Sequence, residues 1–368
     1  MRFVASMAVF FAHSVAFFVS PGAPVRFGPL VENAGYYGVV FFYCLSGFLI
    51  TFLLLREKEE SGTICIRQFY ARRALRIWPL YFLMTLLSFL VFRHFLPAGH
   101  EAGANKWTIA FVLYLLFLPN IAVLTGYYSS TNFQLYTIGF EEQFYLIWPW
   151  VIRRARKRPV RMLAALFFLP LVIGIFHAYA HEHGLLTAGK AGLVTRGFLT
   201  YIDYSNLPAF AAGGAAAYWY RGAGTAQLRR IGNTMVGYVL VTVLLVLMWL
   251  GTPQTLGYVN LLAVLFVLLI LHLLSREKER AGVGLLASGG RISYGIYVYH
   301  PAILLLVSGC LGKVPVLGTP VVNYLLFVFI SLAVVLAVSS VSYRVFERRF
   351  LLKKAGIARM IRKGEMSR

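Results

Sequence analysis

Runs of apolar residues, several of them close to 20 residues long, recur along the whole chain and constrain its fold more than any other feature. Hydrophobic residues make up 59% of the 368 residues, and charged residues only 13%. A water-soluble domain of this size cannot bury so much apolar surface, whereas about 20 apolar residues in a helix span the hydrocarbon core of a bilayer. The sequence therefore predicts an all-α, polytopic membrane protein.

The apolar runs can be drawn as about ten transmembrane helices. Their approximate positions are 3–20, 36–55, 77–95, 136–152, 162–180, 203–220, 232–250, 257–274, 292–310 and 321–343. No linker to a second domain separates them, so we expect one membrane domain over 1–350 and a basic cytoplasmic tail over 351–368. The apolar stretch 109–118 does not fit this count, and we expect it to be re-entrant or to lie on the membrane surface.

Positive charge is distributed unevenly between the segments that link these runs. Of the 35 Lys and Arg residues, 29 fall in one alternating set of segments and six in the other. Because Lys and Arg are enriched in cytoplasmic loops, the asymmetry predicts that both termini are cytoplasmic. We expect a multi-pass protein of the inner (plasma) membrane. The net charge of +22 is then mostly a topology signal, which favours anionic membrane lipids over nucleic acid as a partner.

Residues 69–81 place three arginines, Arg72, Arg73 and Arg76, directly before an apolar run. Residues four apart are neighbours on a helix, so Arg72 and Arg76 would share a face. A permanently charged guanidinium pair at a membrane edge suits a phosphate-bearing ligand. The alternative interpretation is that these arginines only set the topology.

Ionisable side chains inside a membrane span are costly and often functional. His13 follows Arg2 by eleven residues, or roughly 16 Å along a helix, and imidazole suits proton transfer near neutral pH. Glu141 and Glu142 could orient such a histidine and stabilise its protonated form. The alternatives are a packing role for His13 and, for the two acids, a helix N-terminus capped by Thr137.

Further polar residues stand in or beside the runs. Tyr294, Tyr297 and His300 recur every three residues and form a polar stripe, which favours a ligand-lined channel over lipid contact. Asp203 could contact a polar substrate or cap a helix. Ser46 invites a nucleophile interpretation, but a serine next to a glycine more often lets helices approach closely.

Two further groups of residues are not expected to take part in the chemistry. Glu347 is expected to form salt bridges with its neighbours Arg344, Arg348 and Arg349. The three cysteines, at positions 44, 65 and 310, have neither metal-site nor disulfide spacing, so no metal is predicted.

Six stretches occur in an order that resembles the acyltransferase-3 family of integral membrane O-acyltransferases, which includes O-antigen and exopolysaccharide acetylases. They are RFVASMAVFFAH, GVVFFYCLSGFLI, FYARRALRIWPLY, FEEQFYLIWP, ISYGIYVYHP and SYRVFERRF. The resemblance extends over nearly the whole chain. Each stretch alone is weak, and the order of all six is what makes the match specific.

The resemblance implies a ten-helix fold and transfer of an acyl group, commonly acetyl, from cytoplasmic acyl-CoA to a glycan hydroxyl at the outer face. It implies that His13 matches the essential histidine of the first helix, with Arg2 as its partner in the motif. It also implies that Arg72 and Arg76 match the arginine pair that holds the acyl donor. One departure is that residues 136–138 read Tyr-Thr-Ile, where the family usually has Trp-Ser-Leu.

Together these observations predict a membrane O-acyltransferase. Acyl-CoA would dock its phosphates on the arginines of residues 69–81, and its thioester would enter the channel lined by the polar stripe. His13, oriented by Glu141 or Glu142, would take the proton from a hydroxyl of a glycan or lipid-linked saccharide, and an acyl-histidine intermediate is equally compatible. The alternative is a transporter or flippase of a lipid-linked sugar with a His/Glu proton relay, although the paired broken helices common in transporters are absent from the sequence.

Overall fold

A computed structural model describes residues 1–18, 28–92, 94, 104–154, 160–183, 190–251, 257–276, 284–311 and 319–353. These ranges contain helices and no strands, which confirms the predicted all-α class. The helices are α1 (Arg2–Phe17), α2 (Pro29–Ser61), α3 (Ile66–Leu86), α4 (Ala104–Leu115), α5 (Pro119–Leu124), α6 (Tyr136–Arg154), α7 (Val160–Glu182), α8 (Lys190–Ser205), α9 (Leu207–Gly222), α10 (Thr225–Ile231), α11 (Thr234–Leu250), α12 (Tyr258–Ser275), α13 (Gly284–Leu311) and α14 (Pro320–Ser342). π-helical turns extend α3 over Leu87–Phe92 and α14 over Tyr343–Glu347, and a 3₁₀ turn over Phe133–Leu135 precedes α6.

Six helices in the described ranges are long and apolar enough to cross a membrane, or seven if α10 and α11, which meet at 47°, form one span. The chain is therefore a polytopic helical membrane protein. Every one of the ten predicted spans overlaps a helix, but α1 and α9 have only 16 residues each. A helix of that length extends about 24 Å, less than the roughly 30 Å of the hydrocarbon core. The count of ten and the cytoplasmic termini stay predictions.

The chain divides into two compact units. The first unit consists of Met1–Gly35, Ile64–Pro149 and Gly284–Arg368, and the second of Tyr36–Thr63 and Trp150–Val283. The single domain over 1–350 stays a prediction, and the tail beyond Lys353 lies outside the described residues.

Helix α13 is the centre of the first unit, where it packs against both α1 and α14. Small residues let the backbones approach: the ring of Phe3 lies against Gly289, and Ser339 lies against Gly295. Close approach through small residues is the usual means of helix association in membranes. The long contact between α1 and α13 fixes which of their side chains meet.

The stretch 109–118 forms most of α4, which packs on α3 in the first unit. The hydroxyl of Tyr81 donates to the backbone oxygen of Tyr114 at 2.8 Å, and the rings of Phe89 and Trp107 meet edge to face. The chain then turns at Phe117, whose φ is 58°. With 12 residues, α4 is about 18 Å long and cannot span a bilayer alone. Its re-entrant or surface position stays a prediction.

In the second unit, α2 and α9 touch backbone to backbone. A side chain on Gly47 would collide with the carbonyl group of Phe210, and one on Gly213 with the carbonyl group of Cys44. Ser46, the neighbour of Gly47, is buried at this contact. The arrangement favours the packing interpretation of the Ser-Gly pair.

Candidate active site

Two histidines, 287 residues apart in sequence, meet where α1 packs on α13. Nδ1 of His13 lies 2.8 Å from Nε2 of His300, and the stacked rings have centroids 5.1 Å apart. His300 is buried, and its Nδ1 lies 2.8 Å from the backbone oxygen of Tyr297 and 3.2 Å from that of Ile296. We call His13 and His300 the histidine pair.

These contacts determine which ring nitrogens of the neutral histidine pair carry a proton. A carbonyl oxygen can only accept, so Nδ1 of His300 carries the proton that is donated to Tyr297. Nε2 of His300 is then an acceptor, and Nδ1 of His13 is the donor to it. The proton of His13 is thereby held on Nδ1, which leaves the lone pair of its Nε2 unprotonated. That is the form of imidazole that a general base requires.

The 3₁₀ turn before α6 forms a wall beside the histidine pair. The ring of Phe133 meets the ring of His13 edge to face at 5.1 Å. Its neighbour Asn132 is fully buried, and neither polar atom of the Asn132 side chain has a hydrogen-bond partner within the described residues. Gln134 ties the turn to α13 by donating to the backbone oxygen of Val298 at 2.6 Å. The sequence interpretation missed this turn, because its residues show no motif and no periodicity.

Arg73 is the buried arginine of α3. Its guanidinium group lies 5.6 Å from the ring centroid of Phe69 and 5.7 Å from that of Tyr145. Aromatic faces attract a cation, but they do not replace hydrogen bonds. The Nε atom of Arg73 is buried and has no hydrogen-bond partner among the described residues. The side chain thus has an unused donor in a poorly solvated place.

Four guanidinium groups interact electrostatically in this region. Arg76 interacts with Arg2 and Arg73, and Arg73 interacts in addition with Arg72. We call these four residues the arginine cluster. Like charges that are close together and poorly solvated repel strongly unless an anion compensates them. The cluster therefore favours an anionic ligand.

Glu141 and Glu142 both interact electrostatically with Arg73 of the arginine cluster. Glu141 accepts from the hydroxyl of Tyr145 at 3.2 Å and interacts electrostatically with Arg73. Glu142 accepts from Nε1 of Trp78 at 3.1 Å. The structure thus places His300, rather than either carboxylate, in hydrogen-bond contact with His13.

The polar stripe of α13 connects the two groups of residues. The hydroxyl of Tyr294 donates to the backbone oxygen of Ile77 at 2.9 Å, next to the arginine cluster. The hydroxyl of Tyr297 lies 2.7 Å from Oγ1 of Thr137. From Tyr294 to His300 the helix advances by roughly 9 Å. The stripe therefore runs from the arginine cluster to the histidine pair.

The other predicted residues lie elsewhere. Ser46 belongs to the second unit, and Asp203 falls in α8 with a side chain outside the described residues. Glu347 does not form the predicted salt bridges with its neighbouring arginines. It is buried, and it accepts a hydrogen bond from Oγ of Ser342 at 3.3 Å. It also interacts electrostatically with Arg76. Residues adjacent in a helical turn point in different directions, so Glu347 faces inward while Arg348 is exposed.

No group of three or more His, Cys, Asp or Glu side chains in the described part of the chain could hold a metal ion.

The fold and the family comparison together define a polytopic membrane enzyme of the acyltransferase class. The model of the acyltransferase-3 family, described as an acyltransferase domain, matches residues 1–344. The chain belongs to this family, as the sequence resemblance predicted. It is an enzyme that transfers acyl groups other than aminoacyl groups.

Three relatives illustrate the similarity. An uncharacterized protein of Haemophilus influenzae is 25% identical over 256 residues, which are 65% of this chain and 99% of that protein. The peptidoglycan O-acetyltransferase OatA of Listeria monocytogenes is 28% identical over 160 residues, which are 41% of this chain and 26% of OatA. The O-acetyltransferase OatA of Staphylococcus aureus is 30% identical over 149 residues, or 38% of this chain and 24% of that protein. The matches thus span about a quarter of the length of the OatA proteins. No solved structure gives a significant match.

Proposed function

We propose that the protein is an O-acetyltransferase of the inner membrane that moves an acetyl group from cytoplasmic acetyl-CoA to a hydroxyl group of an envelope glycan. The observation that carries the proposal is the hydrogen bond between Nδ1 of His13 and Nε2 of His300, which leaves Nε2 of His13 ready to accept a proton. The family supports acyl transfer, and the names of the OatA relatives support acetyl as the group and a glycan such as peptidoglycan as the acceptor.

The arginine cluster fits a donor whose phosphates lie at one end and whose thioester lies at the other. Arginine recognises phosphate through paired, charge-assisted hydrogen bonds. The unused Nε donor of Arg73 and the electrostatic interactions of Arg76 with two other guanidinium groups are what a phosphate would satisfy. Arg2 and His13 are eleven residues apart on α1, or about 16 Å. A donor of this shape could bind the cluster while its acyl group approaches the histidine pair.

The proposed reaction uses Nε2 of His13 as the base. It takes the proton of the acceptor hydroxyl while the hydroxyl oxygen forms a bond to the acetyl carbonyl carbon. The carbon–sulfur bond then breaks, and the proton on Nε2 of His13 passes to the departing thiolate. His300 holds the other nitrogen throughout and stabilises the transient imidazolium. In the alternative route, Nε2 of His13 attacks the acetyl carbonyl carbon, the carbon–sulfur bond breaks and CoA leaves as the thiolate. The acceptor hydroxyl then attacks the acyl-histidine, Nε2 is released, and the hydroxyl proton passes to the thiolate.

A developing negative charge on the acetyl oxygen needs hydrogen-bond donors. The side-chain amide of Asn132 is a candidate, since it is buried without a partner within the described residues and precedes Phe133, which contacts His13. Glu141 and Glu142 are assigned to the arginine cluster, where they would partly balance its charge and hold Tyr145 and Trp78. This assignment replaces the orienting role that the sequence suggested for them.

Substitution of His300 tests whether it positions His13. We expect His300→Leu to lower kcat by about 10- to 100-fold, the usual effect of losing a partner that orients a functional histidine. His300→Gln should recover part of this loss, because the glutamine oxygen can accept from Nδ1 of His13. The KM for acetyl-CoA should stay unchanged in both variants. The measurement is steady-state transfer in membranes with labelled acetyl-CoA.

Two results would contradict the role of His300. Equal losses in His300→Leu and His300→Gln would mean that the residue serves packing alone. A raised KM for acetyl-CoA with a normal kcat would mean that His300 contacts the acyl donor instead, as the polar stripe in the sequence had suggested.

The proposed function itself is tested by mass spectrometry of envelope glycans. We expect glycans from cells that make the protein to carry additional acetyl groups, which are absent when the protein is deleted. An unchanged acetylation profile, together with accumulation of a lipid-linked saccharide in the deletion strain, would contradict acetyl transfer and favour the transporter alternative.

A further inference from the structure

A basic groove opens beside the arginine cluster in the first unit, where the start of α13, the end of α14 and the first turn of α1 meet. Its volume is about 760 Å³. Three arginines line it, Arg291, Arg344 and Arg348, and apolar side chains continue it, among them Phe3, Ile292 and Leu336. We call this surface the basic groove.

The basic groove is charged at one end and apolar at the other. Leu336, Ser340, Arg344 and Arg348 follow one another at intervals of four residues, which places them along one face of the helix. The face extends roughly 18 Å from Leu336 to Arg348. On the neighbouring face, Val341 and Val345 are 59% and 58% exposed, as expected of side chains that contact lipid. The groove therefore runs from a cationic boundary along a surface that faces the hydrocarbon.

The charge of the basic groove is not balanced by its own lining. All three arginines are exposed, and Arg291 donates to Oγ of Ser288 at 2.9 Å. No carboxylate is among the described lining residues. Glu347, the acid nearest in sequence, is buried and interacts with Arg76. Three guanidinium groups thus line one groove with no carboxylate among its described residues, at the side that the distribution of Lys and Arg predicts to be cytoplasmic.

We propose that the basic groove binds one molecule of an anionic phospholipid. The headgroup phosphate lies between Arg291, Arg344 and Arg348, and an acyl chain lies along Ile292 and Leu336. Basic pockets between helices at the cytoplasmic boundary suit such headgroups, and arginine suits phosphate. A nucleotide donor shares the phosphate chemistry, but it has no hydrocarbon chain to cover the apolar end.

The lipid would also support the first turn of α1. Phe3 lies against Gly289 and lines the basic groove, while the preceding residue, Arg2, interacts with Arg76. Lipid binding therefore stabilises the helix end next to the arginine cluster. The proposal concerns binding and does not depend on the acetyl acceptor or on the role of His13.

The test uses the purified full-length protein in nanodiscs of phosphatidylcholine with increasing phosphatidylglycerol. We expect phosphatidylglycerol to raise Tm in a saturable manner and to be retained in native mass spectra. The double variant Arg344→Gln/Arg348→Gln should need on the order of tenfold more phosphatidylglycerol for the same rise in Tm, because each arginine near an anionic headgroup contributes to binding. The matched control, Arg229→Gln/Arg230→Gln, removes two exposed arginines of α10 and should respond like the wild type.

Three outcomes would overturn the proposal. The first is an equal response to phosphatidylglycerol in the Arg344→Gln/Arg348→Gln variant and the wild type. The second is retention of phosphatidylcholine as strong as that of phosphatidylglycerol. The third is displacement of phosphatidylglycerol by free CoA with loss of CoA binding in the double variant, which would assign the groove to the donor. Because the readouts are Tm and bound lipid, they stay interpretable even if the acetyl-transfer proposal fails.

Discussion

Replacing His13 by alanine is expected to lower kcat for acetyl transfer by on the order of 100- to 10,000-fold, the usual contribution of a positioned general base. The physical reason is that His13→Ala removes the Nε2 lone pair that the hydrogen bond to His300 keeps unprotonated. The KM for acetyl-CoA should change little, since the proposed phosphate contacts lie about 16 Å away along α1. Transfer of labelled acetyl groups in isolated membranes measures both quantities.

A matched histidine variant distinguishes chemistry from a general effect on the protein. His183 is exposed, directly follows the last residue of α7, and contacts that helix through the backbone oxygen and the ring of Tyr179. We expect His183→Ala to retain wild-type activity. Both variants should insert and elute from size exclusion as the wild type does. A correctly inserted His13→Ala protein with normal transfer would exclude His13 as the base.

The sequence predicted well those features that depend on local pattern. Each apolar run became a helix, because an α-helix satisfies all of its backbone hydrogen bonds within the segment. The arginines of α3 were also recognisable, since Arg72 and Arg76 are four residues apart. The interactions of Arg76 with Arg2 and with Glu347 could not be recognised in this way. They depend on how several helices pack against one another.

The partner of His13 could not be predicted from the residues alone. His13 and His300 are separated by 287 residues, and their contact depends on the rotation of α1 and α13 about their own axes. One residue of rotation, about 100° on a helix of 3.6 residues per turn, would have turned either ring away. Adjacent acids such as Glu141 and Glu142 were attractive partners for the same reason: spacing in sequence shows which residues share a face, and not which face meets another helix.

The histidine pair and the arginine cluster depend on different properties of the fold. The histidine pair needs a fixed tautomer, which buried backbone oxygens of α13 supply through His300. The arginine cluster needs excess positive charge in a poorly solvated place, which costs free energy in the absence of ligand. Glu141, Glu142 and Glu347 lower that cost without cancelling it, because four guanidinium groups outnumber the three carboxylates. The remaining charge is what an anionic donor would use.

Arg76→Ala is therefore expected to raise the KM for acetyl-CoA by about 10- to 100-fold, because a hydrogen bond to a charged group contributes about 1.5–3 kcal/mol. The kcat at saturating donor should stay close to wild type, since the histidine pair is intact. Arg67→Ala is the matched control: it removes an exposed arginine from the same helix and should leave KM unchanged. A lowered kcat with an unchanged KM in Arg76→Ala would contradict a donor site at the arginine cluster. An equal change in the KM for acetyl-CoA in both variants would mean that these arginines only set the membrane topology.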